Sequence, residues 1–132
     1  MATDFAGRFA SLIGPEHVIE DRADREYYST DISGGGDAIA ALVLQPGTVD
    51  DLVACVREAA AALGPAMIAR GGGLSYSKGY VPARAETIIF DMRRLDRIIE
   101  IDAEKMSVTV EAGCTWSYLH DALAERNLRT PF

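Results

Sequence analysis

One segment of the chain has residue types and spacing suited to anion binding, the stretch RGGGLSYSKGY at residues 70–80. Three consecutive glycines, Gly71 to Gly73, allow a positive φ, which we expect at one of them or more, and leave backbone amides open to a ligand. Two serines add hydroxyl donors, and Arg70 and Lys78 add positive charge. The chemistry that this combination predicts is the binding of a phosphate group.

The distribution of charge singles out the same region. The chain has 20 acidic and 13 basic residues and a formal net charge of −7, which argues against sequence-independent binding of nucleic acid. No acidic residue occurs from Gly64 to Ala85, whereas three basic residues do. A basic, glycine-rich window in an acidic chain fits a small anionic ligand, and it fits equally a loop that happens to lack acids.

The glycine spacing matches neither of two common phosphate-binding loops. The dinucleotide fingerprint, counted from Gly71, would need a glycine at Tyr76. The P-loop requires Gly-Lys-Ser/Thr, whereas the order here is Lys78-Gly79-Tyr80. No helical pattern starts directly after the glycines, so the sequence predicts a cradle of loop amides rather than a helix N-terminus.

The preceding residues predict a strand–helix–strand unit that positions this segment. The apolar run 39–44, closed by Gln-Pro-Gly, indicates a buried strand. Thr48, followed by two acids, is typical of a helix start, and apolar residues at helical spacing continue to Gly64-Pro65. Residues 66–69 indicate a second strand, which we expect to lie parallel to the first and beside it. The glycines then begin where a strand ends.

The rest of the pattern predicts an α+β fold with a small, mostly parallel βαβ sheet, flanking helices and a following antiparallel hairpin. A third strand is expected at 87–91, the hairpin at 97–102 and 107–112, and a last helix after Thr115 with Trp116 on its apolar face. A helix at 4–13 and a glycine-containing connector make up residues 1–38, and residues 16–32 show no clear period. Residues 39–132 form the second predicted unit.

Five stretches, taken in register, resemble the flavin-binding domain of the vanillyl-alcohol oxidase and p-cresol methylhydroxylase family. They lie in the family's order along the chain and extend over roughly residues 39–131, whereas a single glycine-rich loop would be weak evidence. The stretches are Gln45-Pro46 with TVDDLV at 48–53, MIARGGG at 67–73 with Ser75, Tyr76 and Gly79, IIFDM at 88–92 with Leu95 and Ile98, VTVEAG at 108–113, and residues 119–123.

The resemblance implies that the chain contributes to a flavoprotein oxidoreductase in which a small-molecule substrate (an alcohol, a sugar or a 2-hydroxy acid) passes a hydride to FAD. The diphosphate of FAD would lie on the amides of residues 71–76. Many members bond the flavin to a histidine at the position of Leu74, so a non-covalent flavin is implied here. The cofactor-binding residues implied are Pro46, Arg70, Gly71, Gly72, Gly73, Leu74, Ser75, Tyr76, Gly79 and Gly113.

The resemblance also implies that residues 39–132 are the first portion of the flavin-binding domain. Members continue with a second glycine-rich segment and a substrate domain, so we expect the 132 residues alone to be inactive, to bind FAD weakly or not at all, and to self-associate. Two alternatives stay open on the residues themselves. The chain could be a non-catalytic nucleotide- or anion-binding module, or a structural domain whose glycines only form turns.

The remaining reactive residue types add little chemistry. No catalytic residue is assigned, and two histidines, His17 and His120, do not make a metal site, which needs three or four ligands. Cys55 and Cys114 lie far apart and are expected to be free thiols, as in a reducing compartment. The first residues do not resemble a secretory signal, and no stretch resembles a membrane span. The sequence therefore predicts a cytoplasmic protein.

Overall fold

The computed structural model describes residues 5–62 and 64–131. Residues 4 and 63, where two predicted helices begin or end, lie outside the described residues. The helices are α1 (Phe5–Ile13), α2 (Arg22–Tyr28), α3 (Val49–Ala61) and α4 (Trp116–Ala124). The strands are β1 (Val18–Ile19), β2 (Thr30–Asp31), β3 (Gly34–Gly35), β4 (Leu42–Leu44), β5 (Ala66–Arg70), β6 (Thr87–Asp91), β7 (Ile98–Asp102) and β8 (Ser107–Val110).

The central sheet has the strand order β1-β4-β6-β5. Strands β4, β6 and β5 are parallel, and β1 pairs antiparallel with β4 at one edge. The predicted α+β class and the βαβ unit are confirmed, but β4 and β5 are not neighbours as expected, because β6 lies between them. Every residue of β6 is buried, and a strand that is apolar on both faces is best covered in the centre of a sheet.

The sheet separates two apolar clusters. Leu42, Leu44, Ile88 and Phe90 point to the face covered by α1 and α3. The alternate strand residues point to the opposite face, where they pack with Tyr28 of α2. This alternation follows from the period of two in a strand, and it makes the parallel part of the sheet the middle of three layers.

The ends of the helices follow local signals. The Thr48 hydroxyl accepts the Asp51 amide at 3.0 Å and the Asp51 carboxylate accepts the Thr48 amide at 3.0 Å, a capping box that starts α3 as predicted. Helix α1 ends before Gly14, whose φ is 89°. Helix α2 falls in the segment without a clear period. Asp21 caps it by accepting the Ala23 and Asp24 amides.

The last part of the chain carries the predicted hairpin and final helix. Strands β7 and β8 pair antiparallel, and the Asp102 carboxylate accepts two amides of the turn between them. Val108 and Val110 alternate with Ser107 and Thr109, a pattern typical of a strand with one buried face, yet all four residues of β8 are exposed in this structure. Trp116 is 66% exposed rather than part of the core, because Leu119 and Leu123 form the buried face of α4.

No helix within residues 5–62 and 64–131 is long and apolar enough to cross a membrane.

Candidate functional site

The candidate site lies at the carboxyl ends of the three parallel strands. Gln45 follows β4, Arg70 ends β5 and Asp91 ends β6. Since parallel strands end at the same edge of a sheet, the topology brings these three residues together. Ligands of open α/β sheets bind outside this edge.

The glycine-rich loop that leaves this edge is irregular, as predicted, although Arg70 itself still belongs to β5. Gly73 has a φ of 78°, which confirms the expected positive φ at one of the three glycines. Within the described chain, the amides of Gly72, Gly73 and Leu74 donate no hydrogen bond to protein. Backbone donors left free at a strand end are suited to an anion.

The side chains after the glycines extend into solvent. Leu74 is 73% exposed and Tyr76 is 77% exposed. The Ser75 and Ser77 hydroxyls lie 3.0 Å apart, and the Ser77 amide donates to the Ser75 hydroxyl at 3.2 Å. An added Cβ at Gly79 would make only ordinary contacts with these two hydroxyls. This part of the loop is therefore an open, polar rim.

Arg70 lies beneath the loop rather than on its outer side. The residue is only 4% exposed, and its Nε has no hydrogen-bond partner among the described residues. Its guanidinium lies 5.5 Å from the ring centroid of Tyr27 and 5.2 Å from that of Tyr28. A Cβ added at Gly73 would overlap the guanidinium. Gly73 thus lacks a side chain partly to make room for this arginine.

A second buried charge, the Asp91 carboxylate, is fully satisfied. It accepts hydrogen bonds from the Tyr28 hydroxyl at 2.9 Å, from Gln45 Nε2 at 2.9 Å and from Arg93 Nη2 at 2.8 Å. Burial favours the neutral acid, but the hydrogen bonds from Arg93, Gln45 and Tyr28 outweigh it and hold the Asp91 pKa below its usual range. Burial, followed by the hydrogen bond to Asp91, raises the pKa of Tyr28, which stays a neutral donor.

Residues before the predicted flavin domain also contact the loop, and no motif in their sequence indicates this contact. The Ile32 amide donates to the Ser75 carbonyl at 3.2 Å. Hydrogen bonds from Ser33, led by the one from its hydroxyl, lower the pKa of Asp31, whose Oδ2 is buried without a hydrogen-bond partner among the described residues. The Asp21 cap, followed by helix-forming residues, is the signal that could have placed an element here.

The other two predicted site residues have clear packing roles. Pro46 is fully buried at the end of β4. Gly113 lies against the backbone of Met92, Arg93 and Leu95, and its amide donates to the Leu95 carbonyl at 2.7 Å. Ala112, next to it, approaches Gly71 through its carbonyl oxygen. Gly113 therefore fixes the start of the last segment beside the glycine loop.

Replacing Gly113 by alanine is expected to lower the free energy of unfolding by about 2 kcal/mol, as overpacking against rigid backbone does. The new Cβ would overlap the Met92 carbonyl oxygen and lie 2.8 Å from the Leu95 carbonyl oxygen. Urea unfolding followed by circular dichroism measures the loss. Gly35→Ala, at an exposed glycine where a Cβ would meet one methyl group at 3.4 Å, is the control, and equal stability of the two variants would contradict the expectation.

A groove also opens away from this edge. The groove, of about 680 Å³, lies at the opposite, amino-terminal edge of the sheet, where its lining includes Phe5, Ala41, Pro65 and Glu86. Its two arginines already have partners, since Arg8 pairs with Glu58 and Arg84 donates to the Gly64 carbonyl. We place the site at the carboxyl edge, because that edge holds the buried charge and the free amides that a ligand would complete.

The cysteines and the possible metal ligands form no reactive site among the described residues. Cys55 is a buried free thiol, and its burial raises its pKa to about 11. Cys114 is also a free thiol with a pKa raised by partial burial and then by Asp96. In the described part of the chain, no group of three or more histidine, cysteine or carboxylate side chains could hold a metal ion. Neither cysteine is an activated nucleophile.

Comparison with known proteins agrees with this geometry. A family model described as FAD binding domain matches residues 40–132. D-2-hydroxyglutarate dehydrogenase of Xanthomonas citri pv. viticola is 30% identical over 109 residues, which are 83% of this chain and 23% of that protein.

Solved structures share the fold. A 4-ethylphenol oxidase from Gulosibacter chungangensis is 28% identical, with a TM-score of 0.79 over 94% of this chain and 24% of its own. p-Cresol methylhydroxylase, at 23% identity, has a TM-score of 0.79 over 94% of this chain and 24% of its own. An alkyldihydroxyacetonephosphate synthase, at 19% identity, has a TM-score of 0.79 over 93% of this chain and 25% of its own.

The chain spans about a quarter of the length of these relatives. The matched region contains β4 to α4 and the whole glycine loop. Because the family model covers well over half of the chain, and the solved relatives share its fold, the chain belongs to the FAD binding domain family, in the form found in p-cresol methylhydroxylase and vanillyl-alcohol oxidase.

Proposed function

We propose that the chain supplies the diphosphate-binding part of the FAD site of a flavin-dependent oxidoreductase. The observation that carries the proposal is the pairing of free loop amides at Gly72, Gly73 and Leu74 with the buried, unpartnered Nε of Arg70. Buried charges are normally balanced by an opposite charge, and backbone amides that converge without a protein acceptor are suited to an anion. A diphosphate would accept hydrogen bonds from the loop amides and would balance the charge of the guanidinium beneath them, so the residues present fit the cofactor.

Each part of the loop has a distinct role in this proposal. The amides of residues 71–76 bind the phosphate oxygens. The positive φ of Gly73 lets successive amides of the loop point to the same side. Ser75 and Gly79 lie on the polar rim, where the Ser75 hydroxyl is a further donor. Pro46, buried at the end of β4, contributes to the wall beside the nucleotide. Gly113 holds the last segment against this wall.

The protein's contribution to the reaction is then to bind and orient. The bound flavin supplies a ring that accepts a hydride from a small-molecule substrate. Among the classes that the resemblance implies, we favour a 2-hydroxy acid, because the curated relative that matches at 30% identity is a D-2-hydroxyglutarate dehydrogenase. No described residue is assigned to catalysis or to contact with the substrate.

The protein expressed from its complete gene is expected to purify yellow and to release its flavin on denaturation. Leu74 has no nucleophilic atom and is exposed on the loop, so no bond to the flavin forms at this position. The measurement is the flavin absorbance of the supernatant after acid precipitation. Flavin that precipitates with the chain would contradict non-covalent attachment here. A colourless protein that carries another nucleotide would contradict the flavin function and favour a non-catalytic module.

The finer expectations about the whole protein are proposals of the same kind. They comprise a boundary between an N-terminal unit, residues 1–38, and the flavin-binding unit, residues 39–132. They also comprise a cytoplasmic location, the absence of a nucleic-acid partner, and weak FAD binding with self-association for residues 1–132 alone. The acidic composition and the two free thiols support the absence of a nucleic-acid partner and the cytoplasmic location. Exposed apolar side chains on α3 and β8, among them Val53 and Val108, support self-association.

A further inference from the structure

Arg70 is a buried positive charge without a negative partner. The residue is 96% buried, forms no ion pair with any acid of the described chain, and leaves Nε without a hydrogen bond. A buried charge costs folding free energy unless it is paired. By contrast, the neighbouring Asp91 has four groups around it. An unpaired cation retained under a loop of free amides points to a ligand that supplies the missing negative charge.

Two tyrosines of the N-terminal segment hold this arginine in place. The rings of Tyr27 and Tyr28 meet edge to face at 84°, with centroids 5.5 Å apart, and the guanidinium lies over both. Cation–π contacts favour the charged group without neutralising it. The Tyr28 hydroxyl is fixed by Asp91 at 2.9 Å. The tyrosines therefore position the charge and leave it available to a ligand.

Residues 27–33 also contact the part of the loop that follows the glycines. The Ile32 amide donates to the Ser75 carbonyl at 3.2 Å. The Asp31 carboxylate is anchored by the Ser33 amide at 2.8 Å and by the Ser33 hydroxyl at 2.6 Å. Residues 27–33 thus contact the loop at both of its halves. They lie outside residues 40–132, which the family model matches.

We propose that residues 27–33 form the inner wall of the diphosphate site and hold Arg70 beneath Gly73, where its unpaired charge attracts the diphosphate through the loop. The inference rests on the proposed function and deepens it, since it names the source of the positive charge. Arg70 acts here as a positioning and electrostatic residue. At a position beneath the loop, a full charge would still act strongly on an anion, because the buried guanidinium is separated from the anion by the atoms of the loop rather than by bulk solvent.

The test compares Arg70→Met and Arg70→Lys in the protein expressed from its complete gene, with FAD and riboflavin as probes. Riboflavin carries the same ring system but no phosphate. We expect Arg70→Met to weaken FAD binding about 30-fold, as loss of one nearby charge in a partly desolvated site would, and to change riboflavin binding less than twofold. Arg70→Lys keeps the charge and is expected to restore most of the FAD affinity.

A measurement of stability separates this role from a structural one. Arg70→Met removes an unpaired buried charge and keeps most of the apolar stem, so the melting temperature of the apoprotein is expected to stay equal or rise. A merely structural arginine would lower the melting temperature and weaken both ligands together. That result would overturn the inference, as would equal FAD binding by Arg70→Met and the wild type.

A tyrosine variant tests the wall itself. Tyr27 is 61% exposed, so Tyr27→Leu should fold, and we expect it to weaken FAD binding about threefold through loss of one cation–π contact, with riboflavin binding unchanged. Tyr118→Leu, at an exposed tyrosine of α4, is the matched control and should change neither. Equal FAD affinity of the two variants would overturn the role of the wall. If the wild type bound neither FAD nor ADP, the proposed function would fall as well.

Discussion

Replacing Asp91 by alanine is expected to lower the free energy of unfolding by about 3 kcal/mol, which is the cost of leaving two or more buried polar groups unsatisfied. The substitution removes the acceptor of the Tyr28 hydroxyl and of the Gln45 side-chain amide. The Arg93 ion pair adds less to this figure, because the Arg93 side chain is 47% exposed and water can replace its partner. The network joins α2, β4 and β6, so its loss loosens three elements at once.

Urea unfolding at pH 7 measures the effect, and Asp121→Ala is the matched control. The Asp121 side chain is exposed on α4, and its removal is expected to cost about 0.5 kcal/mol or less. A difference below about 1 kcal/mol between the two variants would show that the buried network contributes little.

The effect of Asp91 has a defined pH dependence. Because the folded-state pKa lies below the unfolded value, the carboxylate contributes its full stability above the unfolded pKa, near 4. The contribution falls as the pH drops through the folded pKa. The stability of the wild type should therefore approach that of Asp91→Ala only below about pH 4. If the difference in unfolding free energy between the wild type and Asp91→Ala disappeared between pH 8 and pH 6, a group other than Asp91 would be responsible.

Replacing Gly72 by valine is expected to abolish retention of FAD while leaving the fold intact. A Cβ at Gly72 meets no atom closer than the Leu74 side chain at 4.0 Å, and the φ of Gly72 is not positive. The new side chain therefore fits the folded protein. It would occupy the space in front of the free amides, which the diphosphate needs.

The flavin content of the purified protein, measured by absorbance, tests this expectation. Gly35→Val places the same side chain at an exposed glycine of β3 and should leave the flavin content unchanged. Circular dichroism confirms that both variants fold. Normal flavin content in Gly72→Val would place the diphosphate away from these amides and would overturn the proposed cradle.

Local patterns were sufficient where a segment's own residues determine its conformation. The capping box of Thr48 and Asp51 starts α3 because both partners belong to that helix. The hairpin of β7 and β8 forms between segments adjacent in sequence, and Gly73 takes a positive φ that glycine tolerates. Five motifs in the order of the family were enough to indicate an FAD binding domain, because each motif belongs to a different part of the same fold.

The strand order could not be obtained this way. A βαβ pattern predicts that its two strands are parallel and that their connection is right-handed, but it does not exclude a third strand between them. The choice of β6 for the centre depends on burial of both of its faces, which only the packed layers create. The exposure of Trp116 has the same origin, since the packing of α4 buries Leu119 and Leu123 rather than Trp116.

For the candidate site, the residue pattern predicts an anion-binding loop from consecutive glycines, hydroxyl donors and a basic residue at a strand end. The position of Arg70 beneath the loop, against Tyr27 and Tyr28, depends on tertiary packing. The two tyrosines are more than forty residues away in the sequence and show no period that marks them. They reach Arg70 because α2 packs on the sheet at the edge where β5 ends. A contact between residues so far apart in the sequence arises from packing, and no local residue pattern indicates it.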